Sequence, residues 1–246
     1  MRLPPRPAGG ACAGGGRRPC EPGARPARAS CSVFRSCRSR RADYTAPISK
    51  NEPAPELGGA SAQHPTFRLG NGRCLRLLEE ADAPELYGLV DRNRARLAQW
   101  MAWAAEQTPE QALRFIRSTR RQIEEDDGFT MALVADDRIA GMVGFHGIDR
   151  ANRAASIGYW LSEDEEGRGT MTDAVRALVA HAFTQWKLNR VEIRADVENV
   201  RSRAIPERLG FRQEGILRQA YRVSEDRYSD DAVYSMLASE WRERTA

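Results

Sequence analysis

The residues best placed to do chemistry lie in one short stretch. Gly158-Tyr159-Trp160-Leu161 reads as the end of a strand, Glu166-Gly167-Arg168-Gly169-Thr170-Met171 follows as a glycine-bearing turn, and an amphipathic helix then runs to Lys187. The first N–H groups of such a helix have no intrahelical acceptor, and the aligned peptide dipoles place about half a positive charge there. That combination binds anions, so a phosphate or pyrophosphate is the natural ligand. Gly167 and Gly169 let it approach the backbone closely. Two other phosphate loops fail to match. A Walker loop needs a Lys after its last glycine, where this chain has Thr170-Met171, and the dinucleotide fingerprint needs a third glycine where Thr172 stands.

The turn must be held by the elements around it. Short β-like runs occur at Phe67–Leu69 and Cys74–Leu78, and Asp82 then caps a helix with Pro84 at its second position. Helical spacing continues through Leu97 and Trp100 to Trp103. Thr108 with Pro109 starts a second helix, lined by Leu113, Phe115, Ile116 and Ile123, that ends near Glu125. Strands are predicted at Phe129–Ala135, Arg138–Ile148 and Ala154–Leu161. In the next helix Met171, Ala174, Val175, Leu178, Val179, Ala182, Phe183 and Trp186 recur at three and four residues, one apolar face about 100° wide. A strand at Arg190–Ala195, a helix at Val200–Leu209 and strands at Phe211–Leu217 and Ala232–Leu237 complete the pattern.

Composition bounds the class. With 246 residues, 41% hydrophobic and 29% charged, the chain can bury one good-sized core. No apolar run approaches the roughly 20 residues of a membrane span, so a soluble, cytoplasmic protein without a membrane partner is expected. Residues 1–42 hold ten arginines against the single acid Glu21, a net of +9; the whole chain carries +4, which leaves 43–246 at −5. A nucleic-acid partner would therefore rest on the leader alone, and none is expected. The leader, 1–64, is rich in Arg, Pro and Gly with no apolar periodicity, and is expected to be disordered, ahead of a domain at 65–246. Its composition resembles an organelle transit peptide; the preferred alternative is a start assigned too far upstream. Cys12, Cys20, Cys31 and Cys37 lack metal-binding spacing, Cys74 stands alone, and no metal is expected.

The turn and its surroundings resemble the GNAT superfamily of N-acetyltransferases, whose fourth strand enters a turn of pattern Q/R-x-x-G-x-G/A that holds the pyrophosphate of acetyl-CoA. Glu166 and Met171 depart from that pattern. Met171 is similar to the G-x-G-x-M-T turn of the ribosomal-protein N-terminal acetyltransferases, the RimJ/RimL type. Leu97-Ala98-Gln99-Trp100 with Trp103 resembles that subgroup's substrate-side segment, and Asn199-Val200-Arg201-Ser202 with Glu207-Arg208-Leu209-Gly210-Phe211 resembles its N-x-x-S…E-K-L-G-F helix. Glu214-Gly215, Leu217-Arg218, Tyr228-Ser229-Asp230 and Tyr234-Ser235 resemble its C-terminal segments. The resemblance covers about 180 residues, nearly everything after the leader. It implies an α+β fold: one domain with a mixed, mostly antiparallel twisted sheet flanked by helices.

The implied reaction is attack of a primary amine on the acetyl thioester. A tetrahedral oxyanion needs a donor already in place. If the fourth strand lies beside the pantetheine, a backbone N–H near Leu161 can supply it. The resemblance puts Trp160, Leu161, Glu166, Gly167, Arg168, Gly169, Thr170, Met171 and Asn199 at the cofactor, with Asn199 equally readable as a plain helix N-cap. It puts Trp100 and Trp103 on the substrate side; His146, in Gly144-Phe145-His146-Gly147, is a further substrate-side candidate by its place in that segment, where it either points into the cleft or is a structural strand residue. Ser202 is the candidate proton donor to the departing sulfur. The base is where the likeness stops, because Tyr221 stands where Rim-type enzymes have a glutamate, and an ordinary phenol with a pKa of about 10 is a poor base at neutral pH. Asp196 and Glu198 are alternative relays, each also readable as a solvated loop carboxylate. Glu166 adds negative charge at a phosphate site and is expected to weaken binding slightly. His64 lies in the leader and His181 is expected to face solvent. The acceptor is a protein N-terminal α-amine; the alternatives are a small amine (a polyamine, an amino acid or an antibiotic) or an acyl-CoA-binding fold without turnover. A homodimer is compatible with all three.

Overall fold

The computed structural model of the chain describes residues 66–245. The leader, His64 and four of the five cysteines lie outside the described residues. Eight strands build one open sheet: β1 Phe67–Gly70, β2 Arg73–Leu77, β3 Thr130–Ala135, β4 Arg138–Asp149, β5 Ala154–Leu161, β6 Arg190–Asp196, β7 Arg212–Arg222 and β8 Tyr228–Leu237, in the order β1-β2-β3-β4-β5-β6-β8-β7. Every neighbouring pair is antiparallel except β5 and β6. The helices are α1 Ala83–Arg92, α2 Arg94–Leu97, α3 Pro109–Glu124, α4 Thr170–Thr184, α5 Val200–Leu209 and α6 Ala238–Thr245.

Strand parity assigns the sheet's two faces. Met131 and Leu133 of β3, with Val143 and Phe145 of β4, join Ala174, Val175 and Leu178 of α4 in the larger core. Ala132 and Val134 of β3, with Met142 of β4, meet Leu86 and Leu89 of α1 and Ile116 of α3 in the second. Because β3 is covered on both faces, its sequence is a continuous apolar run rather than an alternation. The start of α3 follows its local signals: Gln111 N–H donates to Thr108 Oγ1 at 3.3 Å, and Thr108 N–H donates to Gln111 Oε1 at 2.8 Å, a reciprocal capping box.

The parallel pair carries the consequence for function. β5 meets β6 over only three residues, Ala154↔Arg190 to Ser156↔Glu192, whereas it stays paired to β4 as far as Gly141↔Leu161. β6 meanwhile stays with β8 as far as Asp196↔Asp231. Beyond Ser156 the sheet therefore splits, and Ile157–Leu161 forms one wall of a wedge.

Several expected boundaries move. The helical run toward Trp103 breaks at buried Asn93, whose amide donates to Leu89 C=O at 2.9 Å while its Oδ1 accepts Glu163 N–H at 3.0 Å. α4 stops at Thr184 rather than Lys187, because Lys187 takes a φ of 54° and Leu188 N–H turns back to Ala182 C=O at 2.9 Å. β7 reaches Arg222 and β8 starts at Tyr228: β7 is an exposed edge strand with no alternation of burial, and the first residues of β8, Tyr228-Ser229-Asp230-Asp231, are polar and leave no apolar mark in the sequence. α6 has no buried residue, so its sequence carries no apolar stripe. His181 does not face solvent: its ring packs edge-on to Phe67, Phe129 and Trp186 at 5.1–5.7 Å.

Candidate active site

The wedge between β5 and β6 opens into a cleft of about 440 Å³. Ser162 N–H donates to Ala140 C=O on β4 at 2.7 Å, and ladder bonds alternate along an antiparallel strand, so Tyr159 and Leu161 turn their N–H and C=O groups the other way, into the wedge. That is where a donor for a developing oxyanion would sit.

At the mouth, Gly167 and Gly169 both adopt left-handed φ, 75° and 74°, which a β-branched residue avoids. Gly169 is the N-cap of α4, and no side chain caps that helix end. A Cβ on either glycine would meet nothing within 4 Å, so the backbone is open on the side a ligand would take. The turn is braced from below by Glu165, a buried carboxylate that accepts from Arg168 at 2.8 Å and from Thr170 Oγ1 at 3.3 Å.

Glu166 is not the uncompensated charge its sequence position suggests. It pairs with Arg96 of α2 at 2.5 Å and with Arg201 of α5, so the trio is net positive. Arg96 also donates to Leu161 C=O. One guanidinium thus joins α2 to the end of β5 and to the phosphate turn.

Asn199 is the N-cap of α5, its Oδ1 accepting Ser202 N–H at 3.0 Å, and it also lines the cleft, so both readings of this residue are compatible with its position. Pro206 stands four residues after Ser202 and has no N–H to return to the Ser202 carbonyl. Tyr159 fills the gap: its hydroxyl donates to Ser202 C=O at 2.9 Å, and Ser202 Oγ lies 3.4 Å from the same phenol oxygen. Burial pushes the Tyr159 phenol well above its ordinary range, so it stays protonated.

The structure gathers most of the expected residues and separates a few. Trp160, Leu161, Glu166, Met171, Asn199, Ser202, Tyr221, Trp100 and His146 line the wedge cleft. Trp103 lines a second, apolar cleft of about 400 Å³ with its ring 6.2 Å from Trp160, whereas Trp100 lies under the Arg227 guanidinium, 5.7 Å from the ring centre. Asp196 is not a solvated carboxylate: it is buried and bound to Arg227 at 2.7 Å. Glu198 stays exposed, 3.3 Å from the same guanidinium. The sequence reading passed over Arg96, Glu165 and the partnership of Tyr159 with Ser202. Only the last had a local signal, the spacing of Pro206 from Ser202. Among the described residues no group of His, Cys, Asp and Glu has metal-site geometry, and no helix is long and apolar enough to cross a membrane.

Comparison with known proteins agrees with this geometry. Residues 73–212 match the family model described as an acetyltransferase (GNAT) domain. A Bacillus subtilis protein, YdaF, whose ribosomal N-acetyltransferase activity is itself an inference, is 40% identical over 178 residues, 72% of this chain and 97% of its own length. Two solved structures align along nearly their whole length. RimL, a ribosomal L7/L12 α-N-protein acetyltransferase in complex with coenzyme A, superimposes with a TM-score of 0.67 at 26% identity, covering 72% of this chain and 99% of that one. The microcin C7 self-immunity acetyltransferase MccE, in complex with acetyl-CoA and AMP, gives 0.65 at 29% identity, covering 69% and 94%. With the split sheet, the glycine turn at an uncapped helix and a family match over more than half its length, this chain belongs to the GNAT acetyltransferases.

Proposed function

We propose that the chain moves an acetyl group from acetyl-CoA to a protein N-terminal α-amine of the ribosomal-protein type. The observation that carries this reading is the wedge itself: an uncapped α4 end at its mouth and unpaired β5 backbone along its wall. The N–H groups at Gly169–Met171 hold the pyrophosphate, and the strand edge at Tyr159 and Leu161 runs beside the pantetheine arm. Leu161 N–H faces the thioester oxygen and stabilises the charge that grows there. Ser202 hands its proton to the departing thiolate, with Tyr159 beside it holding the α5 backbone in place. Tyr221 reaches the wedge from β7.

The size and apolar lining of the second cleft, with Trp103 exposed at its rim, suit a chain terminus. A ribosomal acceptor would make the protein cytoplasmic. β7 is an exposed edge strand bearing Ile216, Leu217 and Tyr221, and pairing of two such edges is the route to a homodimer. The likeness to MccE, solved with acetyl-CoA and AMP, favours one second reading, a small-molecule acceptor amine. The test is release of free thiol from acetyl-CoA with short peptides that differ at the first residue, alongside aminoacyl nucleotides, polyamines and aminoglycosides. Peptide N-termini are expected to be the best acceptors. Preference for any of the small amines overturns the acceptor assignment.

A further inference from the structure

Two clefts meet on β5. The first is the wedge; the second lies on the opposite side of the strand, under Leu86 and Val90 of α1 and Phe115 of α3. Five residues line both: Met101, His146, Gly158, Tyr159 and Trp160. A thioester delivered along the first cleft and an amine arriving along the second can meet only at these five. Met101, Gly158 and Trp160 carry no group that takes a proton, and Tyr159 keeps its own, donated to Ser202 C=O. Tyr221 and Asp231 line the wedge alone.

We infer that His146 is the general base that removes a proton from the incoming amine, an assignment that rests on the acetyl-transfer reading above. Gly158 makes the placement feasible. His146 is paired across the ladder with Ser156, and its ring leans over Gly158, where a Cβ would meet His146 Cε1 at 3.2 Å and Nδ1 at 3.5 Å. With no side chain at 158, the imidazole reaches the junction of the clefts. The ring keeps a solvent-exposed face, and partial desolvation by the protein around it holds its pKa below the ordinary value; Arg194 of β6 acts in the same direction, and Glu192 of β6 and Asp127 before β3 oppose it. At neutral pH the ring is therefore in its proton-accepting form.

The protons balance. The acceptor arrives as an ammonium with three N–H bonds; one proton passes to His146 and on to solvent, and the nitrogen lone pair forms the C–N bond as the carbonyl π pair moves onto oxygen. When that pair returns, the C–S bond breaks with its electrons on sulfur. The sulfur takes a second proton through Ser202, and the third stays on the amide. An α-amine with a pKa of about 8 gives up a proton to imidazole far more readily than a lysine near 10.4, so this base selects N-termini.

The test compares wild type with His146→Gln and His146→Asn on the best peptide between pH 6.5 and 9, with coenzyme A affinity and the thermal transition measured alongside. The variants are expected to keep their fold and coenzyme A affinity and to lose roughly a hundredfold in kcat at pH 6.5. The deficit should shrink to a few-fold at pH 9, where the amine is already mostly neutral given a pKa of about 8. A merely structural histidine would give a deficit that does not change with pH. A constant deficit, or none, in a wild type that releases thiol with peptides overturns the base and leaves the acetyl-transfer reading standing. A wild type that releases no thiol with any amine overturns both.

Discussion

Ser202 shows how one residue's chemistry depends on another's missing atom. Its carbonyl lost a helical partner to Pro206 and gained the Tyr159 hydroxyl, 2.9 Å away. Tyr159→Phe should therefore leave a half-buried carbonyl unpaired and cost about 1–3 kcal/mol. Adding Pro206→Ala restores an N–H four residues on, so in denaturant titrations the double variant should recover part of that loss rather than add to it. Simple additivity would show that the phenol does not substitute for the helix bond. Ser202→Ala is expected to lower turnover by about tenfold or more with coenzyme A affinity unchanged, since a proton donor to the leaving group acts in the transition state. Tyr221→Phe is its companion. If the serine variant keeps full rate and the phenylalanine variant does not, the donor is Tyr221.

At the scale of elements, the phosphate turn and the helix behind it act as one unit. Gly169 combines a left-handed φ with an open side, so substitution has two effects of different origin. Gly169→Ala should cost about 1–2 kcal/mol of stability from backbone strain alone. Its cost in coenzyme A affinity should be larger, because two lost charge-assisted hydrogen bonds at about 1.5–3 kcal/mol each weaken binding a hundredfold or more. Gly169→Val compounds both. Calorimetry that finds the affinity loss no larger than the stability loss would reduce the loop to an ordinary turn. The wedge is likewise a property of two elements, since β5 leaves β6 after three paired residues only because β4 on one side and β8 on the other hold them apart.

At the scale of the whole molecule, both cores described here are built from Phe67 onward, which bears on the leader. Deleting residues 1–60, which have no apolar periodicity, should leave the cooperative thermal transition and acetyl-CoA affinity intact. Loss of the transition would make the leader part of the fold. His181 ties global stability to pH. Burial lowers its pKa in the folded state, so the unfolded chain takes up the proton first on acidification. The stability it contributes is present above the ordinary histidine value of about 6.5 and is lost as pH falls from there toward the folded value. His181→Phe, which keeps the aromatic contacts with Phe67, Phe129 and Trp186, should flatten the decline of unfolding free energy between pH 7 and 5. An unchanged slope would place the acid sensitivity elsewhere.

The sequence by itself determined whatever depends on near neighbours along the chain. The helix start at Thr108-Pro109, the apolar face of α4, the glycine turn and the strand at β3 were all legible, because capping residues, helical period, turn glycines and apolar strand runs leave local marks. So was the family, whose motifs recur in order over about 180 residues of this chain. Only the tertiary structure decided what depends on residues far apart in sequence. Glu166 reads as a repulsive charge until Arg96 and Arg201, 70 and 35 positions away, are folded against it. Asp196 reads as a solvated loop carboxylate until Arg227 buries it. His181 sits in a polar-looking spacing and packs against aromatics from β1, from the residue before β3 and from the chain beyond α4. His146 has no motif at all, and its position between two clefts exists only because the sheet splits beside it and Gly158 leaves room for its ring.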